Sequence, residues 1–274
     1  MSLAVMRAPK EGRRESDLVA AAHAVALADD RLLAYPIILT IDGQILHSHG
    51  HHHALAPGRL ILGDFGAESP MHYASDITRT LPVTGTMSAQ QKEIYAIVLS
   101  AQRSCIERLK PGVPYRDVHL HASVEMARGL AQLGLMKGDP VEAVRAGAHA
   151  LFFPHGLGHM LGLDVHDMED LGEDRVGYTD GIRRASQFGL RSLRLGRELE
   201  EGFVLTVEPG LYFIPELIDR WKAEGLRRDF IDYAKLDAYR SFGGIRIEDD
   251  CLITAQGSRV LGPAIPKEIA EISG

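Results

Sequence analysis

Five acidic or histidine side chains stand inside stretches that otherwise read as strand core. Asp64 follows the apolar run LIL, Asp76 opens DITRT, and His159 sits in PHGLGHMLGLDVHD. Glu208 interrupts VLTVEPG, and Glu248 lies in GIRIEDD. A carboxylate in an apolar strand is expensive to bury unpaired, and it survives there when it is paired or binds a metal. Taken singly, each reads as a surface or salt-bridged acid. Taken together, four carboxylates and one histidine make a hard, oxygen-rich ligand set that suits Mn²⁺, Co²⁺, Zn²⁺ or Fe²⁺. The set is large enough for two ions. Two ions about 3.5–4 Å apart can share a water, lower its pKa and steady both oxygens of a displacement. The strand period supports a cavity here. In GIRIEDD, Arg246, Glu248 and Asp250 share one face, while Ile245 and Ile247 face the core.

The elements that must position these residues follow from periodicity and turn chemistry. Residues 17–33 read as an Ala-rich helix. In AYPIILTIDGQILH, the Asp42-Gly43 pair between two apolar runs predicts a hairpin. RLILGDFGAE (59–68) and MHYASDITRTLPV (71–83) read as further strands. Ser88 and Gln91 form a capping box, followed by Ile94, Val98, Ala101, Cys105 and Leu109 at helical spacing. Pro111-Gly112 stops that helix, and a second helix runs from about Tyr115 to Leu133 and ends at Gly134. Residues 167–200 are polar and Gly-rich, with many arginines. Strands are expected at 202–213 and 243–254, with a charged, partly helical stretch at 215–240 between them. A hairpin, two helices and then more strands argues for one α+β domain rather than alternating βαβ units.

Composition removes several function classes. The chain of 274 residues has a net charge of −7 and a pI near 6.0. With no basic stripe or zinc-finger spacing, a nucleic-acid partner is not expected. No apolar run approaches the roughly 20 residues of a membrane span, and the N-terminal residues do not read as a signal peptide. Cys105 and Cys251 are too far apart for a disulfide framework and read as reduced core residues. A cytoplasmic location follows.

DFGAE…SDITRT, HGLGHMLGLDVHD, TVEPGLYF and GGIRIEDD together resemble the pita-bread metallopeptidases, the M24 family that includes methionine aminopeptidase, aminopeptidase P, prolidase and creatinase. The resemblance covers roughly residues 17–270. It implies a curved, mainly antiparallel sheet covered by helices, with two divalent metal ions per chain, Mn²⁺ first and Co²⁺ or Zn²⁺ next. By resemblance, Asp76 and Glu248 bridge the ions, Asp64 chelates one, and His159 and Glu208 bind the other. Asp64 and Asp76 stand one residue further apart than in the commonest family spacing, which reads as an insertion at the hairpin tip near Ser69-Pro70.

The resemblance extends to residues around the metals. His166 takes the place of a donor to the scissile carbonyl or its oxyanion. His155 is expected to bind substrate. His47, at the end of QILH, takes the place of a histidine that contacts substrate and moves protons. His49, His51, His52 and His53 read mainly as a solvated loop at the mouth of the site. GLRSLR resembles prolidases in particular, so Arg194 is expected to grip the free carboxylate of a dipeptide with a planar guanidinium. Arg191 and Arg246 are candidates to share that role.

The expected activity is hydrolysis of Xaa-Pro dipeptides by a water or hydroxide shared by the two metals. An aminopeptidase acting on longer Xaa-Pro peptides is the alternative, with a non-catalytic binding protein on the same fold as a third reading. Creatinase-like C–N cleavage has less support. Residues 1–16 are expected to form an N-terminal tail and residues 17–274 the catalytic domain. The N-terminal domain and first helix of prolidases and aminopeptidases P are expected to be missing, with a homodimer covering the exposed face.

Overall fold

The computed structural model describes residues 1–8 and 11–273. Within the segment expected as a tail, α1 (Ser2–Arg7) forms, and α2 spans Glu15–Ala28. The second helix stops earlier than the expected 33, and the chain reverses at Asp30, whose φ is 52°. Aspartate tolerates that left-handed backbone better than most residues.

Strands β1 (Ile38–Thr40), β2 (Leu60–Phe65) and β3 (Ile77–Pro82) form an antiparallel sheet. Its register sets Asp64 opposite both Ile38 and Thr78. The hairpin expected at Asp42-Gly43 does not form. Glu15 accepts from the Ile41 N–H (2.8 Å), and Arg59 donates to the Ile41 carbonyl and to Asp42 (2.9 and 2.6 Å). These side chains take the backbone groups that a returning strand would use. Residues 42–47 therefore make turns, and His47 lies in a turn rather than at a strand end.

The expectations for the two long central helices hold. The Ser88 hydroxyl accepts from the Gln91 N–H (3.2 Å), and the Gln91 side chain accepts from the Ser88 N–H (2.9 Å) at the start of α3 (Ala89–Arg108). Ile94, Val98, Ala101, Cys105 and Leu109 are all buried. Burying each large aliphatic side chain contributes roughly 1.5–3 kcal/mol. Helix α4 (Tyr115–Gln132) ends before Gly134, whose φ is 72°. A further helix, α5 (Pro140–Arg145), starts at an Asp139 cap followed by proline, a start signal that the sequence reading passed over. The polar stretch at 167–200 contains a short α-helix, α6 (Glu173–Gly177), and 3₁₀ turns at Glu169–Leu171 and Leu190–Ser192.

The two long C-terminal strands are each broken. The first divides into β4 (Val204–Val207) and β5 (Gly210–Tyr212), because Pro209 has no N–H to offer a ladder. Helix α7 (Pro215–Glu224) follows. The second divides into β6 (Gly244–Arg246) and β7 (Asp249–Thr254), and β8 (Gly257–Val260) closes the sheet. At the break, the Ile247 N–H bonds Pro209 O (3.3 Å) and the Glu248 N–H bonds Thr78 O (3.1 Å). Strand order is β4-β7-β8 in one antiparallel sheet and β5-β6 in another. One apolar cluster packs α3 and α4 over the β4–β7 strands, and a second packs α1 and α2 against β1–β3. Cys105 and Cys251 are both free and buried, as expected. Among the described residues, no helix is long and apolar enough to cross a membrane.

Two histidines sit in this core. His119 and His149 are buried, their ring centroids 6.3 Å apart, with no hydrogen-bond partner on any ring nitrogen. Burial lowers His149 to about 4, against a smaller contrary pull from the nearby Val144 carbonyl, and lowers His119 well below its ordinary 6.5. An unfolded chain takes these protons near pH 6.5. The associated stability is thus complete above pH 6.5 and is lost as pH falls toward 4, to the extent of about 3 kcal/mol for His149 alone. In urea unfolding measured from pH 8 to 4.5, His149→Leu should flatten the loss of stability below pH 6.5 by about one proton's worth of slope. An unchanged slope would show that this histidine does not set the acid limit.

Candidate metal centre and substrate cleft

Strands β2, β3, β4, β6 and β7 converge on a cleft of about 430 Å³. It is lined by Asp64, Asp76, His159, Glu208 and Glu248, and also by His47, His49, His155, His166, Arg194 and Arg246. The five prospective metal ligands thus meet in one place with His47, His155, His166, Arg194 and Arg246. Arg191 is not among its lining residues. Asp64 comes from β2, and Asp76 stands just before β3. Glu208 follows β4, and Glu248 occupies the break between β6 and β7.

Two close approaches fix the backbone here. A Cβ on Gly66 would lie 1.5 Å from the Ser75 carbonyl, so only glycine lets the chain beyond Asp64 cross the chain leading into Asp76. A Cβ on Gly158 would lie 2.1 Å from Thr206 O. Its absence lets the His159 N–H reach Thr206 Oγ1 (3.1 Å) and hydrogen-bonds the histidine segment onto β4.

The side chains form connected polar relays. His159 Nδ1 bonds Met160 O (2.9 Å), which directs Nε2 toward Asp76 Oδ2 (3.3 Å) and Glu208 Oε1 (3.6 Å). Arg246 donates to Asp64 (2.5 Å), to Thr78 Oγ1 (3.1 Å) and to the Tyr212 hydroxyl (2.9 Å). The Thr78 hydroxyl donates in turn to Glu248 Oε2 (2.5 Å). Tyr212 in turn meets His155 Nε2 (2.8 Å), whose Nδ1 bonds Gly156 O (2.7 Å). Both ring nitrogens of His155 are therefore engaged within the protein. His166 stacks edge-on against His159, with ring centroids 4.4 Å apart.

Some site residues were not anticipated. The Tyr35 hydroxyl lies between Asp64 and Asp76, in hydrogen-bond contact with both carboxylates. Nothing in its local spacing marks it. Thr78 and Thr80 did carry a signal, since they alternate with Asp76 along one face of a strand that reads as core. Asp250 departs from its expected partners, because its carboxylate accepts from the Asp76 N–H (3.1 Å) and does not line the cleft. The histidine loop is tied down rather than merely solvated. His51 bonds Leu39 O (3.0 Å) and His53 bonds Glu15 (3.2 Å).

Residues 1–255 match the family model of metallopeptidase family M24. The chain belongs to this family. It is 41% identical over 215 residues to the Xaa-Pro dipeptidase of Homo sapiens, covering 78% of this chain and 42% of that relative. It is 37% identical over 274 residues to a probable Xaa-Pro aminopeptidase of Leptosphaeria maculans, covering 99% and 47%. Zinc-substituted Escherichia coli aminopeptidase P, solved in complex with product, superposes with a TM-score of 0.78 and 34% identity. That match covers 98% of this chain and 53% of that one. The fold is the pita-bread α+β fold. The chain spans less than half the length of these two curated relatives.

In this M24 chain, the donor set fits a divalent cation. Ligand atoms of Asp76, His159 and Glu248 all lie within 4.8 Å of one another, and all three residues are buried. Glu248 Oε1 is buried without any hydrogen-bond partner. Four ionised carboxylates against Arg246, with His159 neutral as a ligand must be, would leave three negative charges uncompensated, an excess that divalent cations fit. Protons take up that excess otherwise. Burial pushes Asp64 up to about 6 and Glu208 up to about 7, despite Arg246 and His159. Burial, with Asp76 and Glu208 beside it, raises Glu248 well above the carboxylate range. Burial opposes the charge on His159, yet Asp76 and Glu208 raise it to about 9. Burial and His159 lower His166 to about 3, and burial with Arg246 lowers His47.

Glu248→Gln should therefore act oppositely in the two metal states. In chelator it should raise the melting temperature by a few degrees, since it removes the cost of keeping this buried carboxyl protonated at neutral pH, worth about 1–3 kcal/mol. With Mn²⁺ it should lose the stabilisation that the wild type gains. Differential scanning calorimetry with and without metal checks both, and a destabilised metal-free variant would contradict the charge argument.

Proposed function

We propose that this chain hydrolyses Xaa-Pro dipeptides with two divalent metal ions held by Asp64, Asp76, His159, Glu208 and Glu248. The observation that carries the reading is the presence, in one cleft, of the crowded buried carboxylates and the half-exposed guanidinium of Arg194. The 41% identity to a protein named Xaa-Pro dipeptidase supports the same substrate class. When bound, the ions supply an activated water and polarise the scissile carbonyl.

The chain's own residues divide the remaining work. Arg194 binds the dipeptide's C-terminal carboxylate. Arg246 stays fixed between Asp64, Thr78 and Tyr212, and its positive charge helps hold the cluster in an ionised state. His155 braces Tyr212 against that guanidinium rather than reaching freely for substrate. His166, neutral because its protonated form is disfavoured, offers a ring N–H to the developing oxyanion. His47, also neutral at pH 7, relays protons at the mouth of the cleft. Tyr35 orients Asp64 and Asp76 as metal ligands. Pro36, Ile38 and Leu46 provide an apolar wall suited to a pyrrolidine ring.

The oxygen-rich ligand set favours Mn²⁺, with Co²⁺ and Zn²⁺ as substitutes. A homodimer and a cytoplasmic location complete the reading, the latter supported by two free, buried cysteines. A second reading, Xaa-Pro aminopeptidase action on longer peptides, is favoured by the likeness to Escherichia coli aminopeptidase P.

Two measurements test these roles. Metal analysis of protein reloaded after chelation should give about two Mn²⁺ per chain, with hydrolysis of Ala-Pro lost on chelation and restored on reloading. Activity that survives exhaustive metal removal would refute the metal role. A hydrogen bond to a charged group contributes roughly 1.5–3 kcal/mol, or about 10- to 100-fold. Arg194→Ala should lower kcat/KM on Ala-Pro by about that factor, spare its C-terminal amide, and leave metal content unchanged. Wild-type preference for longer Xaa-Pro peptides over Ala-Pro would instead make aminopeptidase the better description.

A further inference from the structure

Arg194 does not stand free in the cleft. Its Nη1 is paired with Glu169 Oε2, and Glu173 Oε2 lies 3.3 Å away. The two acids differ in their other partners. Glu173 is also held by Arg184. Among the described residues, the other ion-pair contact of Glu169 is with His166 Nδ1, at 3.9 Å. The Glu169 side chain is 13% exposed, so it is largely withdrawn from water although it belongs to a polar segment. It opens a short 3₁₀ turn (Glu169–Leu171) immediately after Met168, whose φ is 60°. A left-handed backbone at a methionine is unfavourable by roughly 1–2 kcal/mol. That turn directs a carboxylate onto a guanidinium that lines the substrate cleft.

We propose that Glu169 is a specificity-determining residue, an internal carboxylate that occupies the position on Arg194 taken by the C-terminal carboxylate of a dipeptide. The inference rests on the proposed role of Arg194 as the carboxylate clamp. A free carboxylate entering the cleft exchanges with Glu169, which moves out to solvent while Glu173 remains on Arg184. A substrate with no carboxylate at that point leaves the Arg194–Glu169 pair intact. Glu169 therefore weakens dipeptide binding selectively and narrows the difference between dipeptides and longer or amidated substrates. It sets how exclusive the site is for dipeptides, without touching the reacting bond.

The test compares Mn²⁺-loaded wild type, Glu169→Gln, Glu169→Ala, Arg194→Ala and the double variant Glu169→Gln/Arg194→Ala, on Ala-Pro and on Ala-Pro amide. Both Glu169 variants should lower KM for Ala-Pro by about 3- to 5-fold, the range for a partly exposed ion pair. Their kcat on Ala-Pro and their kinetics on the amide should change by less than about 2-fold on that scale. In the Arg194→Ala background, the gain should vanish. Thermal midpoint and metal content, measured in parallel, report folding, and agreement of the two Glu169 variants guards against one that folds poorly. If Arg194→Ala harms acid and amide equally, the carboxylate clamp fails and the inference falls with it. If Arg194→Ala is selective for the acid but both Glu169 variants leave KM for Ala-Pro unchanged or raise it, the clamp stands. Glu169 then merely positions Arg194, and the inference is overturned.

Discussion

Like charge held in a confined, poorly solvated space governs this molecule. Asp64, Asp76, Glu208 and Glu248 share one cleft, and burial there disfavours ionisation of every one of them. Carboxylates of this kind persist only with nearby positive charge and dense hydrogen bonding. Most of the surrounding structure meets that requirement. Arg246 lies under the cluster with donors on three partners, and Tyr35 joins the two aspartates. Thr78 couples the guanidinium to Glu248. In the proposed reading, divalent cations complete the balance that protons otherwise maintain.

A second buried charge cluster lies behind the first and holds its geometry. Arg79 donates to the Thr78 and Glu248 carbonyls (2.9 and 2.6 Å) and to Asp249 (2.7 Å). Asp249 also accepts from Lys267 (2.5 Å) and Gln102 (2.8 Å). Unlike Asp64, Glu208 and Glu248 in the cleft, Asp249 is held below the ordinary carboxylate range, because Arg79 and Lys267 outweigh its burial. One acid of the adjacent pair Glu248-Asp249 is thus saturated with cations, while the other keeps an unpartnered oxygen. The saturated acid anchors the break between β6 and β7. The unsaturated one lines the cleft.

In the proposed reading, specificity lies in turns and short helices rather than in the sheets. The carboxylate-facing wall of the cleft comes from the polar stretch 167–200, made of turns and short helices with partly exposed ion pairs. Such pairs are weak and exchangeable, unlike the rigid relays beneath the metal centre. A protein can therefore change which peptide ends it accepts without disturbing the residues that hold the ions. On that reading, the residues that would set substrate range and those that would hold metal lie in physically separate layers.

The sequence by itself determined a good deal. The five prospective ligands were legible because acids and histidine inside apolar runs are chemically conspicuous. Helices α3 and α4 were legible because the Ser88–Gln91 box and the Ile94-to-Leu109 stripe are local signals, complete within a few turns. Only the tertiary structure decided the rest. Asp42-Gly43 reads as a hairpin, yet Glu15 and Arg59 claim the backbone that such a hairpin needs. The strands at 202–213 and 243–254 read as continuous, yet each breaks where Pro209 or the Glu248 N–H takes a role in another layer. Tyr35 and Glu169 become site residues through partners 29 to 41 and 25 residues away, and Thr78 meets Glu248 across 170. Local periodicity encodes which face of an element is buried. It carries no record of which distant donor will reach a given acceptor, since that pairing exists only once packing has brought the strands together.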